Sequence, residues 1–508
     1  FLEPLFPTVF YPPTFCLPPE TEPRSFICTF FYSYVYKLGL HSVLLFAFTA
    51  LRSQKKFEKQ WKNIFLCVII KKYNLFYIGV DYVAIKRERK IIGSADRGIA
   101  LTVLTDSKFK TDSYIIHFIT RLTEENASAN AAIAFMLEDT CAKYPTITAF
   151  NTRLAELYGA SVRGGISRFA DSQTITMSAS CIGDRFALEG EDISASVLEL
   201  LCGCVFDPVS ENGAFPEKQF ALKKQELIDD IDADINDKRS YALKKAGKVI
   251  YENEPAGIPV KGERSDAEAL TSEQVWKAYK ELLRTARIEI FFVGRELPEK
   301  CEKLINDRFS AMDRGTVYSP SEKLSPLKPE VRYETERLDV LQSKMVMAYK
   351  TSIKSPAVRR VFTALFGGLP VSMLFMNVRE KLSLCYYCAA SFAEKSGVMF
   401  VDSGVESENI EPARKEIENQ LALTAKGEFS DELLEQAKLA MVCALKGADD
   451  SPRNIADWYF SDCTKSEEDI LSPEKLSELI EKVTKEQVME FAASLKLDTV
   501  YVLTGKEN

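Results

Sequence analysis

TSEQVWK at residues 271–277 and TKEQVME at 484–490 stand 213 positions apart, and GAFPEK at 213–218 and GEFSDE at 427–432 stand 214 apart. Two separate motifs at nearly one offset mark an internal duplication. Each T-x-E-Q sequence has the form of a helix start, in which the threonine hydroxyl caps the first turn and the glutamine three residues on reaches back to the threonine amide. Each glycine-led sequence opens a longer helix, with Pro216 or Ser430 at the beginning and acids at the positive end of the helix dipole. A strand ending in glycine follows each T-x-E-Q helix: RIEIFFVG at 287–294 and TVYVLTG at 499–505.

Working outward, the two copies share one order of elements. In the first, LTVLTDSKF (101–109) and SYIIHFITRL (113–122) read as alternating strands with a polar turn between them. A helix over Asn126 to Leu137 follows, then a second over 145–160, opened by Pro145 and Thr146 and closed by Gly159. SVRGGISRF and DSQTITMSAS complete a hairpin. In the second copy, LQSKMVMAYKT (341–351) is a strand, AVRRVFTALFGG (357–368) a helix stopped by glycine, and VSMLFMNVREKL (371–382) another helix. SLCYYCAASF and GVMFVDSGV form the hairpin. The fold class is therefore α+β: two homologous halves at 93–311 and 331–508, each a mostly antiparallel sheet packed with helices. They are joined by an extended, proline-punctuated linker at 312–330.

The remaining residues, 1–92, differ in kind. Positions 1–80 hold 12 of the 32 phenylalanines, nine Lys/Arg, four Glu and no Asp, whereas the rest is acidic. YKLGLHSVLLFAFTALRS (36–53) is shorter in its apolar part than the roughly 20 residues of a membrane span. Residues 1–92 are expected to be an atypical N-terminal extension outside the working fold, and a membrane partner is not expected.

Composition narrows the chemistry. Hydrophobic residues at 46% and charged residues at 27% suit an ordinary folded core. A formal charge of −8 offers nucleic acid no electrostatic attraction. The 12 cysteines are thinly spread, which favours a reducing, cytoplasmic setting. The two histidines, His41 and His117, decide most. A helix-borne zinc pair needs two histidines four residues apart, and no such pair exists. No metal ligand set and no cofactor are expected.

The duplicated halves, the KYP–helix–ELYGA run at 143–160, the QSK strand at 342–344 and the VREKxxLxYY signature at 378–387 resemble insulinase-type (pitrilysin-like, inverzincin) zinc peptidases. The likeness is to a bacterial branch whose members lack the zinc motif, and it covers about 95–508. In active members a helix carries His-x-x-Glu-His, the histidines holding zinc and the glutamate activating its water. Those positions fall near Asn130, Ile133 and Ala134, none of which serves that chemistry, and the third ligand falls near Glu226. The resemblance implies that the second half supplies an arginine and a tyrosine across the cavity, here Arg379 and Tyr386, able to donate to a substrate carbonyl. The competing reading makes Arg379 a helix-surface residue and Tyr386 a half-buried strand residue.

Gly367 and Gly368 either stop the preceding helix through positive φ or form a glycine loop touching peptide. Cys385-x-x-Cys388 on a strand would point its two thiols to opposite faces, which argues against metal or redox work. The resemblance implies a chain that is not an enzyme on its own. It would pair with a zinc-bearing homologue and add peptide binding to a shared cavity, the alternative being a purely structural or scaffold protein.

Overall fold

The computed structural model describes residues 85–505, so the expected extension lies outside the described residues up to position 84. The first half runs β1 (Lys86–Ile91), β2 (Ile99–Thr105), β3 (Thr111–Arg121), α1 (Glu124–Leu137), α2 (Ile147–Glu156), β4 (Ser161–Phe169), β5 (Ser172–Ile182) and α3 (Ile193–Phe206). It continues with α4 (Glu217–Ala233), α5 (Lys238–Ile250), α6 (Arg264–Ala269), α7 (Ser272–Thr285), β6 (Arg287–Gly294) and α8 (Glu299–Ser310). The second half runs β7 (Arg332–Arg337), β8 (Ser343–Lys350), α9 (Pro356–Thr363), β9 (Cys385–Ala393), β10 (Val398–Val405), α10 (Ile410–Ala425) and α11 (Asp431–Lys446). Then come α12 (Pro452–Ser461), α13 (Pro473–Glu481), α14 (Lys485–Ser494) and β11 (Lys496–Thr504).

The duplication is visible in five strands of each sheet, with β1 as an extra edge strand in the first. One sheet has the order β1-β2-β6-β3-β5-β4 and the other β7-β11-β8-β10-β9. In each, a single parallel pair (β2 with β6, β7 with β11) sits among antiparallel neighbours. Helix starts keep the offset: α4 and α11 begin at Glu217 and Asp431, and α5 and α12 at Lys238 and Pro452. Both T-x-E-Q motifs form the expected box. Gln274 N donates to Thr271 Oγ1 at 3.3 Å and Thr271 N to Gln274 Oε1 at 2.9 Å, with the same pattern at Thr484 and Gln487.

One feature goes beyond the sequence reading and one differs from it. β2 and β3 are not partners, because β6 returns from the far end of the half to lie between them. The fold also begins before position 93, since β1 pairs antiparallel with β2 from Lys86↔Thr105 to Ile91↔Ala100. KRERKI lacks apolar alternation because it is an edge strand, where charge is tolerated. One of its charges reaches inward: Arg89 pairs with Glu289, whose side chain is 1% exposed.

Each half has its own core on the helical side of its sheet, one around Tyr114, Ile133, Leu201 and Phe292, the other around Met347, Phe362, Val401 and Phe491. The opposite faces are covered by exchange. α5 of the first half lays Ala242, Ala246 and Ile250 on Val346, Phe400 and Tyr501 of the second sheet. α12 of the second half lays Ile455, Tyr459 and Phe460 on Ile115, Ile119 and Phe291 of the first. Burial of both sheet faces ties the halves into one unit, with hydrophobic area as the main driving term.

Candidate functional site

The place where a metal would be expected is filled by core packing. Ile133 and Ala134 are buried, and a side chain on Gly164 of β4 would meet the Ala134 carbonyl oxygen at 2.4 Å. Asn130 donates to Gln173 Oε1 at 3.0 Å, and Gln173 in turn donates to the Ala127 carbonyl at 2.9 Å, so both amides are spent inside the protein. Glu226, at the third expected position, accepts from Lys223 Nζ at 2.9 Å. Lys223 is 3% exposed and also meets Asp139 at 2.6 Å and Glu138 at 3.3 Å. Burial disfavours its charge, but the hydrogen bonds to Asp139 and Glu226 outweigh this and raise its pKa. Glu138 is pushed up by burial, which the shared Lys223 charge does not fully offset. Among the described residues no group of three His, Cys, Asp or Glu is placed to hold a metal ion.

The second-half candidates lie on an irregular stretch of backbone. α9 passes into a π-turn over Ala364–Gly368, and a second π-turn spans Phe375–Lys381. Ser383 takes φ +53°, and its N–H donates to the Arg379 carbonyl at 3.0 Å. Cys385 lies opposite Val405 and Tyr387 opposite Gly404, which leaves Tyr386 as the extra residue of a β-bulge. Such irregularities cost free energy and cluster at sites that aim side chains.

The outcome of this aiming is specific. Tyr386 is 59% exposed and its hydroxyl donates to Glu406 Oε1 at 2.7 Å, which raises its pKa. The Arg379 guanidinium stacks over Phe375 at 4.6 Å and lies 3.6 Å from Glu380. Each candidate therefore has its own local partner. Met376 and Leu382 are exposed beside them.

Two expectations about neighbours are overturned. Neither Gly367 nor Gly368 has positive φ, because the helix carries on as a π-turn rather than stopping. Gly367 is instead a close-approach residue, since a Cβ there would lie 2.6 Å from Ala390 N of β9. Cys385 and Cys388 do not face apart. They lie opposite Val405 and Ser403, two residues apart on β10, and both enter the second core. The bulge at Tyr386 adds one residue and so turns both thiols to one side.

One cluster was not visible in the sequence. Arg239, at the start of α5, bonds Asp402 of β10 and stacks over Tyr387 at 4.6 Å, while Lys344 of the QSK strand lies over the same ring at 5.5 Å. His117 is buried in the contact with α12, stacked on Phe460 at 3.8 Å, and plays a packing role.

A duplicated α+β fold with Asn130, Ile133 and Ala134 packed at the positions expected to hold zinc describes a peptidase-like protein without a histidine pair for the metal. In sequence and fold the chain is similar to inactive members of the insulinase-type (M16) peptidases. The family description "Peptidase M16 inactive domain" matches residues 269–441. The "Probable inactive metalloprotease YmfF" of Bacillus subtilis (strain 168) is 28% identical over 81% of this chain and 96% of its own length. A conserved protein from Enterococcus faecalis V583 has the same fold with a TM-score of 0.76 and 26% identity, covering 83% of this chain and 99% of that one. A peptidase M16 inactive domain from Pseudomonas fluorescens aligns over 83% of this chain and 99% of its own with a TM-score of 0.68, at 16% identity. Among the described residues no helix is long and apolar enough to cross a membrane.

Proposed function

We propose that this chain is the non-catalytic subunit of a cytoplasmic heterodimer, paired with a zinc-bearing homologue and contributing peptide binding to a shared cavity. Arg379 and Tyr386 are the residues assigned to that contact, with the Gly367–Gly368 turn supporting them. The observation carrying this reading is the run of irregular backbone from 364 to 386. It comprises two π-turns, the left-handed Ser383 and the bulge at Tyr386, and it leaves Tyr386 exposed. Tyr386 and Arg379 hold only surface partners, which a peptide carbonyl can replace at little cost.

The test is co-expression with a homologue that carries His-x-x-Glu-His. The expected result is a stoichiometric complex that cleaves a quenched peptide faster than the zinc-bearing chain alone. A complex without any gain in turnover supports the scaffold alternative, and the absence of a complex removes the reading altogether.

A further inference from the structure

The dithiol beneath Tyr386 has a geometry that the spacing of its cysteines disguises. On a regular strand residues three apart face opposite sides. Here the extra residue at Tyr386 places Cys385 and Cys388 opposite Val405 and Ser403, on the core side of β9. Both carry free thiols. The neighbouring Cys388 thiol, with Arg379 nearby, holds the Cys385 thiol below the ordinary cysteine range against the opposing effect of burial. The same contact, reinforced by burial, pushes Cys388 up, so the two thiols differ in acidity as an attacking and a resolving thiol do.

Position also distinguishes this pair from the other adjacent one. All four thiols are buried, but Cys141, held down at about 6 beside Cys204, lies off any strand edge and is 2% exposed against 8% for Cys385. β9 is the outermost strand of its sheet, and Cys385 precedes a residue that is 59% exposed.

We propose that Cys385 and Cys388 form a dithiol modification site for low-molecular-weight disulfides, closing to an internal disulfide that resets the bulge carrying Tyr386. The Cys385 thiolate attacks one sulfur of the small disulfide, forming a mixed disulfide and releasing one small thiolate. Cys388 loses its proton to solvent and attacks the Cys385 sulfur, and the second small thiolate leaves. Two protein thiols are oxidised and one small disulfide is reduced to two thiols. Joining the sulfurs draws Cys385 and Cys388 together across the bulge, and Tyr386 moves with them and leaves Glu406. The consequence for peptide binding rests on the reading of Tyr386 given above; the thiol chemistry does not.

The experiment treats the full chain with oxidised glutathione and maps the cysteines by mass spectrometry. The expected result is loss of two titratable thiols, an internal disulfide on the peptide spanning 385–388, and reversal by dithiothreitol. In Cys388→Ala the reaction stops at a glutathionyl adduct on Cys385. Because the wild-type map needs no variant, a poorly folded Cys388→Ala protein leaves the test intact. Reaction confined to other cysteines, or an adduct on Cys385 in wild type that never closes, overturns the site. Turnover by the mixed complex is measured separately. A disulfide that forms without changing wild-type turnover overturns the control of Tyr386 and leaves the dithiol standing.

Discussion

Arg239 in the first half holds Asp402 in the second through two hydrogen bonds, Nη2 to Oδ1 at 3.2 Å and Nε to Oδ2. Asp402 is 3% exposed and lies on β10, between the strand that carries Tyr386 and the QSK strand. The pair therefore couples the exchanged helix α5 to the sheet that positions the candidate site. Burial disfavours the Arg239 charge, but Asp402 more than offsets this and raises its pKa.

Arg239→Met is expected to strand the Asp402 carboxylate. A fully buried broken pair costs about 3–5 kcal/mol. The Arg239 side chain is 48% exposed, so roughly 2 kcal/mol is the better expectation here. Urea unfolding of wild type, Arg239→Met and the double variant Arg239→Met/Asp402→Leu measures it. Partial recovery in the double variant identifies the stranded charge as the cause.

The N-terminal boundary gives a second outcome. A chain beginning at Gly93 loses β1 and with it Arg89, leaving Arg287 as the remaining ion-pair partner of Glu289. It is expected to be less stable than one beginning at Ile85 by about 2–3 kcal/mol, from a weakened buried ion cluster and an uncovered strand edge. Equal melting behaviour of the two chains would show that β1 contributes nothing.

These cases indicate where the sequence was readable. Caps, the duplication and the hairpins could be read because each is set by local chemistry, as at Thr271 with Gln274 and Thr484 with Gln487. The strand order was not readable, because β6 is inserted from almost 170 residues beyond β3 and its partners are chosen by packing. β2, read as an alternating strand, is buried along nearly its whole length because helices cover both faces of its sheet. The loss of zinc chemistry was legible from two histidines. The orientation of the site was not, since a single bulged residue at Tyr386 reverses the face of Cys385 and nothing in CYYC announces it.

Asp112 supplies a pH test. Burial pushes its carboxyl up from the ordinary 3.8 to about 6, with the hydrogen bond from Ser194 only partly opposing this. A raised folded-state pKa means the folded protein binds the proton more tightly. The associated stability is present below about pH 4 and lost as pH rises through 6. Asp112→Asn is therefore expected to stabilise the protein above pH 6, by about 2 kcal/mol, and to leave it near wild type at pH 4. Chemical unfolding across that range checks the sign. A variant that is destabilised at pH 7 would mean that the ionised carboxylate is a net asset.

The sharpest outcome concerns Arg379 and Tyr386 in the mixed complex. Donors aimed at charge that develops during bond cleavage matter most in the transition state, and losing one typically costs around 3 kcal/mol, on the order of a hundredfold in rate. Arg379→Ala and Tyr386→Phe are expected to lower peptide turnover while assembly is retained. Tyr386→Phe is the cleaner variant. It removes one hydroxyl and an exposed bond to Glu406, and keeps the ring in place. Its effect on stability should stay within about 0.5 kcal/mol, as for most surface changes. The loss should fall on kcat with KM little altered if the hydroxyl acts only on the developing oxyanion, and on KM if it merely holds the substrate. The scaffold alternative expects both variants to assemble with turnover unchanged. That result, at matched complex concentration, would leave Arg379 as a cation stacked on Phe375 and Tyr386 as a bulged surface tyrosine, with no part in proteolysis.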